Sequence, residues 1–138
     1  MKTILIITGA TIALLVGGLW WSQTLQASDP GIISRSGIHW HPTLAIYVKG
    51  EKVEIPQNVG IGAVHQPMHT HDDLPAIHLE YQGTVRKADI TLGQFFKIWG
   101  KDMRSFGSNM RMTVNGKENT YYEDYVMRDG DKIELHYE

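Results

Sequence analysis

The sequence contains no cysteine. That absence excludes disulfide bonds, thiolate zinc sites, iron–sulfur ligation and dithiol redox chemistry. It also has no long block of one charge sign. Its 13 lysines and arginines are scattered among 15 aspartates and glutamates, and the net charge is -2. A nucleic-acid-binding domain normally carries a basic stripe with interleaved aromatic residues. Nucleic acid is therefore not an expected partner.

Long apolar runs are absent except at the N-terminus, where residues 4–21 form an almost wholly apolar stretch. A transmembrane helix needs about 20 such residues. Lys2 before the run and the Trp20-Trp21 pair at its end predict a single pass with the C-terminal domain outside the cytoplasmic membrane. The alternative is a cleaved signal peptide that releases a secreted domain, but Leu25-Gln26-Ala27 is a weak cleavage site.

The length of 138 residues is enough for one ordinary domain. Residues 1–28 are assigned to the membrane anchor or signal segment. Residues 29–37 are rich in turn formers and predict a tether. Residues 38–138 are predicted to form the folded, histidine-rich domain.

Within this domain, alternating apolar residues predict a hairpin over residues 44–55, a strand over 76–81 and a last strand over 132–137. Thr91 has the form of a helix N-cap, and the apolar stripe that follows predicts a helix over residues 92–99, ended by Gly100. Asn115-Gly116 is typical of a hairpin turn. The order predicts an α+β fold, specifically a β-grasp-like domain in which one helix packs on a mixed sheet.

Histidine clustering is the main functional signal, since six of the seven histidines lie between positions 39 and 78. His39-x-His41 and His69-x-His71 each place two imidazoles on one face of an extended chain. Asp72 follows the second pair. If the fold brings the pairs together, they supply four nitrogen donors for a zinc or copper ion, with Asp72 as a further ligand, or with Asp72 or Asp73 as an acceptor that orients a histidine.

The remaining histidines have weaker signals. His78 is a further candidate ligand, because it shares a strand face with Glu80, but the same position suits a half-buried histidine bonded to that carboxylate. His65 is predicted to be a loop residue and His136 a structural one. A single His-x-His pair arises by chance, so the prediction of a site rests on the cluster. Four acidic residues flank turns and are expected to be solvated: Glu123, Asp124, Asp129 and Asp131.

Several segments together resemble an uncharacterised family of small exported or membrane-anchored archaeal and bacterial domains. The segments are His39-Trp-His-Pro42, Val48–Val53, Ile55-Pro56, Gly60-Ile-Gly62, His69-Thr-His-Asp72, Ile77–Glu80, Thr91–Gly100 and Val114–Gly116. Some members carry a protein-disulfide-isomerase label, which a chain without cysteine contradicts. The resemblance implies the extent of the domain, nearly all of residues 38–138, and marks His-Thr-His-Asp as a family feature. It implies no mechanism.

Three functions follow from these residues. The favoured one is an extracytoplasmic, membrane-anchored protein that binds zinc or copper. The second is a metal-free envelope domain that holds a protein partner, with the histidines as structural or pH-responsive groups. The least favoured is a small metal-dependent hydrolytic enzyme, in which three histidines hold a metal-bound water and Asp72, Asp73 or Glu80 accepts its proton. The sequence leaves catalysis undecided and favours a binding role.

Overall fold

A computed structural model of the chain describes residues 1–27 and 29–138. They fall into two compact units, Met1–Pro30 and Gly31–Glu138. The first unit contains helix α1, Lys2–Ala27. Its segment Ile6–Leu25 has a mean hydropathy of 1.3 and is long and apolar enough to span a membrane. A signal sequence has the same properties, so both predicted fates of the segment stay open. Ser28, the last residue of that predicted segment, lies outside the described residues.

The second unit combines short strands with one α-helix, α2, at Leu92–Trp99. This arrangement confirms the predicted α+β class, whereas the β-grasp assignment stays a prediction. In chain order the strands are β1 (Ile32–Ser34), β2 (Ile38–Trp40), β3 (Thr43–Val48), β4 (Glu51–Val53), β5 (Met68–His69), β6 (His78–Tyr81), β7 (Val85–Arg86), β8 (Arg111–Val114), β9 (Lys117–Glu118) and β10 (Lys132–Tyr137).

The largest sheet has the order β4-β3-β10-β8-β9. Strand β10 lies at its centre, parallel to β3 and antiparallel to β8, so the sheet is mixed. The predicted hairpin is confirmed by the antiparallel pairing of β3 with β4. Asn115 and Gly116 both have positive φ at the turn between β8 and β9, as a primed hairpin turn requires.

Helix α2 begins and ends where the sequence predicts. The Thr91 hydroxyl accepts a hydrogen bond from the Gln94 backbone N–H at 3.2 Å, which satisfies one free donor of the first turn. Gly100 ends the helix in the left-handed conformation. Leu92, Phe95 and Phe96 are buried in the same apolar core as the inward side chains of β3 and β10. The amphipathic stripe therefore joins the helix to the core around the sheet.

A second, three-stranded sheet carries the functional candidates. Its order is β2-β6-β5, with β6 antiparallel to both neighbours. Leu79 at its centre pairs with Trp40 on one side and with Met68 on the other. Leu79 and Met68 are fully buried in the core. Because side chains alternate along a strand, the residues next to them face away from the core.

The predicted tether differs from the structure in its middle. Ile32–Ser34 forms strand β1, which pairs with β7 in an antiparallel two-stranded sheet. Lys87 N–H also donates to the Gly31 carbonyl at 2.9 Å. Ile33 is partly buried against the core, and this apolar contact is the physical reason why the segment docks. The compact unit accordingly begins at Gly31 rather than near Ile38.

Candidate metal centre

The register of the three-stranded sheet gathers histidines on one face. His39 of β2 lies opposite Glu80 of β6, and His69 of β5 lies opposite His78 of β6. The alternation that buries Leu79 and Met68 turns these four side chains to the other side of the sheet. We call this surface the histidine face: His39, His41, His65, His69, His71, His78 and Glu80.

Thr70 explains why His69 and His71 hold a fixed position. It is fully buried between the two histidines. Its hydroxyl donates to the Pro56 carbonyl and accepts from the Val59 N–H, both at 3.0 Å, and its N–H donates to the Val59 carbonyl at 3.0 Å. Because its backbone and side chain are both bonded to the preceding loop, the flanking imidazoles project from a rigid support.

The loop that carries His65 lies against β5. Ile61 and His65 form an isolated bridge, and the Gln66 N–H donates to the Gly60 carbonyl at 2.8 Å. Gly60 has φ of 76°, and a Cβ atom there would collide with the Met68 carbonyl oxygen. Only glycine meets both conditions without strain. The close approach brings the His65 ring to 4.3 Å from the His69 ring, centroid to centroid.

The six imidazoles form a continuous row. His39 lies 4.8 Å from His41, His41 lies 4.7 Å from His78, and His78 lies 5.3 Å from His69, as measured between ring centroids. His71 packs at 4.7 Å from His69 and 4.9 Å from His78. The structure thus brings both predicted His-x-His pairs onto one surface, with His78 between them.

His69 is the most buried member, with 1% of its surface exposed. Its Nδ1 lies 2.9 Å from the Gln66 carbonyl oxygen, which only accepts, so Nδ1 carries the proton and Nε2 carries a lone pair. That Nε2 is buried and has no hydrogen-bond partner among the described residues. Burial lowers the pKa of His69 below its ordinary value, because the charged form loses its hydration. A neutral imidazole with a fixed tautomer is the form that binds a metal ion.

His78 is prepared in the same way through a carboxylate. Its Nε2 lies 3.0 Å from Asp73 Oδ1 and 3.1 Å from Oδ2. The hydrogen bond from His78 lowers the pKa of Asp73. Because an ionised carboxylate only accepts, Nε2 carries a proton, and in the neutral ring Nδ1 carries the lone pair. That Nδ1 is also buried and without a hydrogen-bond partner among residues 1–27 and 29–138. A carboxylate that orients a histidine in this way is typical of metal sites.

The outer end of the row is more exposed and includes a carboxylate. Glu80 Oε1 lies 3.6 Å from His39 Nε2 and 3.6 Å from His78 Nδ1. The side chains of His39 and Glu80 are 67% and 40% exposed. The His41 backbone is held by a separate hydrogen bond, because its N–H donates to Asp129 Oδ1 at 2.8 Å. Solvent therefore reaches the row at His39 and Glu80.

Three groups of donor atoms on this face are close enough to share an ion. Within each group the donor atoms lie within 4.8 Å of one another. Zinc–nitrogen bonds of about 2.0–2.1 Å place tetrahedral ligand atoms roughly 3.3–3.4 Å apart. The groups are His65, His69 and His71; His39, His41 and Glu80; and His69, His78 and Glu80.

The acidic residues near the histidines differ from the sequence expectation, which favoured Asp72 as a candidate ligand. Of the two adjacent aspartates, Asp73 is the one whose carboxylate contacts a histidine ring. Asp72 is exposed and belongs to none of the donor groups found among the described residues. His65, which the sequence predicts to be a loop residue, belongs to the donor group that consists of three histidines. The sequence offers one indication of this role, the position of His65 four residues before His69. The two rings come together because the loop folds closely against β5 at Gly60.

His136 lies away from this face on β10, as the sequence predicts for a structural residue. It stacks on Tyr47 at 4.9 Å and contacts Glu134 at 3.3 Å.

Comparison with known proteins found no matching family model, no matching curated protein and no matching solved structure. The resemblance of residues 38–138 to a family therefore stays a prediction, and function is argued from the histidine face itself.

Proposed function

We propose that the unit Gly31–Glu138 binds divalent transition-metal ions, zinc or copper, through its histidine face. One observation carries the proposal: His69 Nε2 and His78 Nδ1 are both buried lone pairs without a hydrogen-bond partner among the described residues. A buried polar atom left unsatisfied costs about 1–3 kcal/mol. Metal coordination of these two lone pairs removes that cost, and each ring already presents the correct tautomer.

The chemistry of the donors supports this class of metal. The face is rich in imidazole nitrogen and has one carboxylate within the donor groups, Glu80. Zinc and copper(II) accept such ligands, whereas calcium and magnesium prefer shells of oxygen atoms. With no thiolate in the chain, the sites that select strictly thiophilic ions are excluded.

We further propose that the domain lies on the outer side of a cytoplasmic membrane, held there by α1. The length and apolar character of Ile6–Leu25 support a membrane-spanning segment. Lys2 before it and the tryptophan pair at its end favour an outward C-terminus. In that location the histidine face would take up, store or deliver metal ions. This binding role accounts for the buried lone pairs without a catalytic step.

The first test measures bound metal on the full chain. The protein is purified in detergent without a histidine tag, stripped with a chelator and dialysed against equal trace amounts of zinc and copper(II). Elemental mass spectrometry then gives the bound metal for the parent chain, for His69→Ala/His71→Ala, and for the control His136→Ala. We expect stoichiometric metal in the parent and in the control, and a clear loss in the double variant.

Absence of stoichiometric metal from the parent would overturn the proposal. The metal-free interaction domain would then be the better explanation of the same surface. Equal metal content in the parent and the double variant would also contradict it, because binding would then come from elsewhere in the chain.

A further inference from the structure

The histidine face has more donor atoms than one ion can use. Six histidines and Glu80 offer seven side chains, while zinc in protein sites is almost always four-coordinate. Asp73 is not one of the seven, because His78 already engages it. An account with one ion leaves at least three of these donors without a role.

The extent of the row also indicates that one ion cannot use all of these donors. Its ends, His39 and His65, are joined through His41, His78 and His69 by successive ring separations of 4.8, 4.7, 5.3 and 4.3 Å. None of the donor groups found among the described residues contains both His39 and His65. A single ion is therefore not expected to bind both ends of the row.

We propose that the histidine face is a two-ion centre, an inference that rests on the proposed metal-binding function. The inner ion is held by His65, His69 and His71. The outer ion is held by His39, His41, His78 and Glu80. The two sets meet where the rings of His69 and His78 stack, 5.3 Å apart with an angle of 13° between their planes.

His69 belongs to the inner set because it has a single lone pair to give. Its Nδ1 is committed to the Gln66 carbonyl, so only Nε2 is available. Its ring lies closer to His65 and His71, at 4.3 and 4.7 Å, than to His78 at 5.3 Å. The three rings meet at angles of 75° to 79°, so none stacks on another, and one ligand atom from each lies within 4.8 Å of the others.

His78 belongs to the outer set because its free Nδ1 faces Glu80. The Glu80 Oε1 atom is 3.6 Å from both His78 Nδ1 and His39 Nε2, so one carboxylate lies between the two nitrogens. The His41 ring completes the set at 4.7 Å from His78 and 4.8 Å from His39. Three nitrogens and one oxygen form a four-donor shell of the kind zinc accepts.

The rival arrangement is one central ion. His69 Nε2, His78 Nδ1 and Glu80 also lie within 4.8 Å of one another. An ion there would use both buried lone pairs and leave His39 and His65 at the two ends without a ligand role. Stoichiometry separates the two arrangements.

The test is a zinc titration of the full, untagged chain in detergent against a chromophoric chelator. We expect two equivalents per chain in the parent. His65→Ala/His71→Ala removes two ligands of the inner set alone, and His39→Ala/His41→Ala removes two of the outer set alone. Each variant is expected to keep one equivalent, and the control His136→Ala is expected to keep two.

The outcomes divide clearly. Zero equivalents in the parent would overturn metal binding itself. One equivalent in the parent would overturn the two-ion centre and leave the proposed function in place. Two equivalents in the parent with loss of both in either double variant would also contradict two separable sets, provided that circular dichroism shows that variant to be folded. The parent's stoichiometry stands even if a variant fails to fold.

Discussion

Two buried polar sites in the domain differ in whether their hydrogen bonds are satisfied: the Asp131 carboxylate and the His69/His78 pair. Asp131, at the turn before β10, is 5% exposed, and its carboxylate accepts from the Tyr125 hydroxyl, the Arg128 N–H and the Asn115 side chain at 2.7 to 3.0 Å. Burial and the hydrogen bond to Asp131 raise the pKa of Tyr125 well above its ordinary value, so the hydroxyl keeps its proton. His69 and His78, by contrast, each keep one buried nitrogen unpaired among the described residues.

The difference separates a structural polar site from the proposed binding site. A buried carboxylate with three donors is satisfied within the fold and stabilises the turn. The buried nitrogens of His69 and His78 have no hydrogen-bond donor beside them among the described residues, and the free-energy cost of burying them unpaired is not offset within the fold. The two places are also connected, since Asp129 of the same turn accepts from the His41 N–H.

The largest expected effect is on stability, from Asp131→Ala. The variant leaves three donors near one cavity without their acceptor, at about 1–3 kcal/mol for each unsatisfied group. We expect the free energy of unfolding to fall by at least about 3 kcal/mol, measured by thermal denaturation with near-ultraviolet circular dichroism. Zinc stoichiometry below the melting temperature should not change. Asp129→Ala is the matched control and should cost less than about 1 kcal/mol, because it removes one exposed bond. Equal losses in both variants would break the contrast.

The next effect is on metal affinity, from His69→Ala/His78→Ala. This variant removes both buried lone pairs, and removing a ligand should cost more than the 10- to 100-fold that loss of an orienting partner costs. We therefore expect zinc affinity to fall more than about 100-fold in the chelator competition. His136→Ala, on the other sheet, should bind as the parent does. Unchanged zinc affinity in the double variant would show that His69 Nε2 and His78 Nδ1 are not zinc ligands.

A smaller effect isolates the carboxylate that orients His78. Asp73→Asn replaces a carboxylate that only accepts with an amide that can also donate, so the proton is no longer fixed on Nε2 and His78 loses its preference for presenting Nδ1. We expect zinc affinity to fall by about 10- to 100-fold in the same competition. The neighbouring Asp72→Asn provides the control, since Asp72 is exposed and outside the donor groups. A larger loss for Asp72→Asn would restore Asp72 as the functional aspartate.

Local signals in the sequence were sufficient for part of this picture. The helix Leu92–Trp99 followed from a cap, an apolar stripe and a terminal glycine, all within ten residues. The Asn115-Gly116 turn was equally local. The sheet that carries the histidines was not predictable in the same way, because its register pairs His39 with Glu80 across about forty residues of chain. Strand β5, with two residues, is too short to show a period.

The same reasoning explains which site residues the sequence indicated. His-x-His spacing conveys a shared face, which the two pairs have. It does not convey which of two adjacent aspartates turns toward His78, or that Gly60 folds the loop so that His65 meets His69. The turn acids were expected to be solvated, and Asp131 is instead buried, because three donors from separate segments converge on it.

The smallest expected effect is a pH dependence of stability in the metal-free protein. Burial lowers the pKa of His69 in the folded state relative to its ordinary 6.5, so between the two pKa values the unfolded chain binds more protons. The free energy of unfolding should therefore decrease as pH falls through 6.5 toward the lowered pKa. Denaturation in the presence of a chelator at pH 7.5, 6.5 and 5.5 measures this slope. His69→Gln should flatten it and His136→Gln should not. Identical slopes in the parent and His69→Gln would show that the buried ring is protonated without cost, and the contrast between the two buried places would then lose its electrostatic basis.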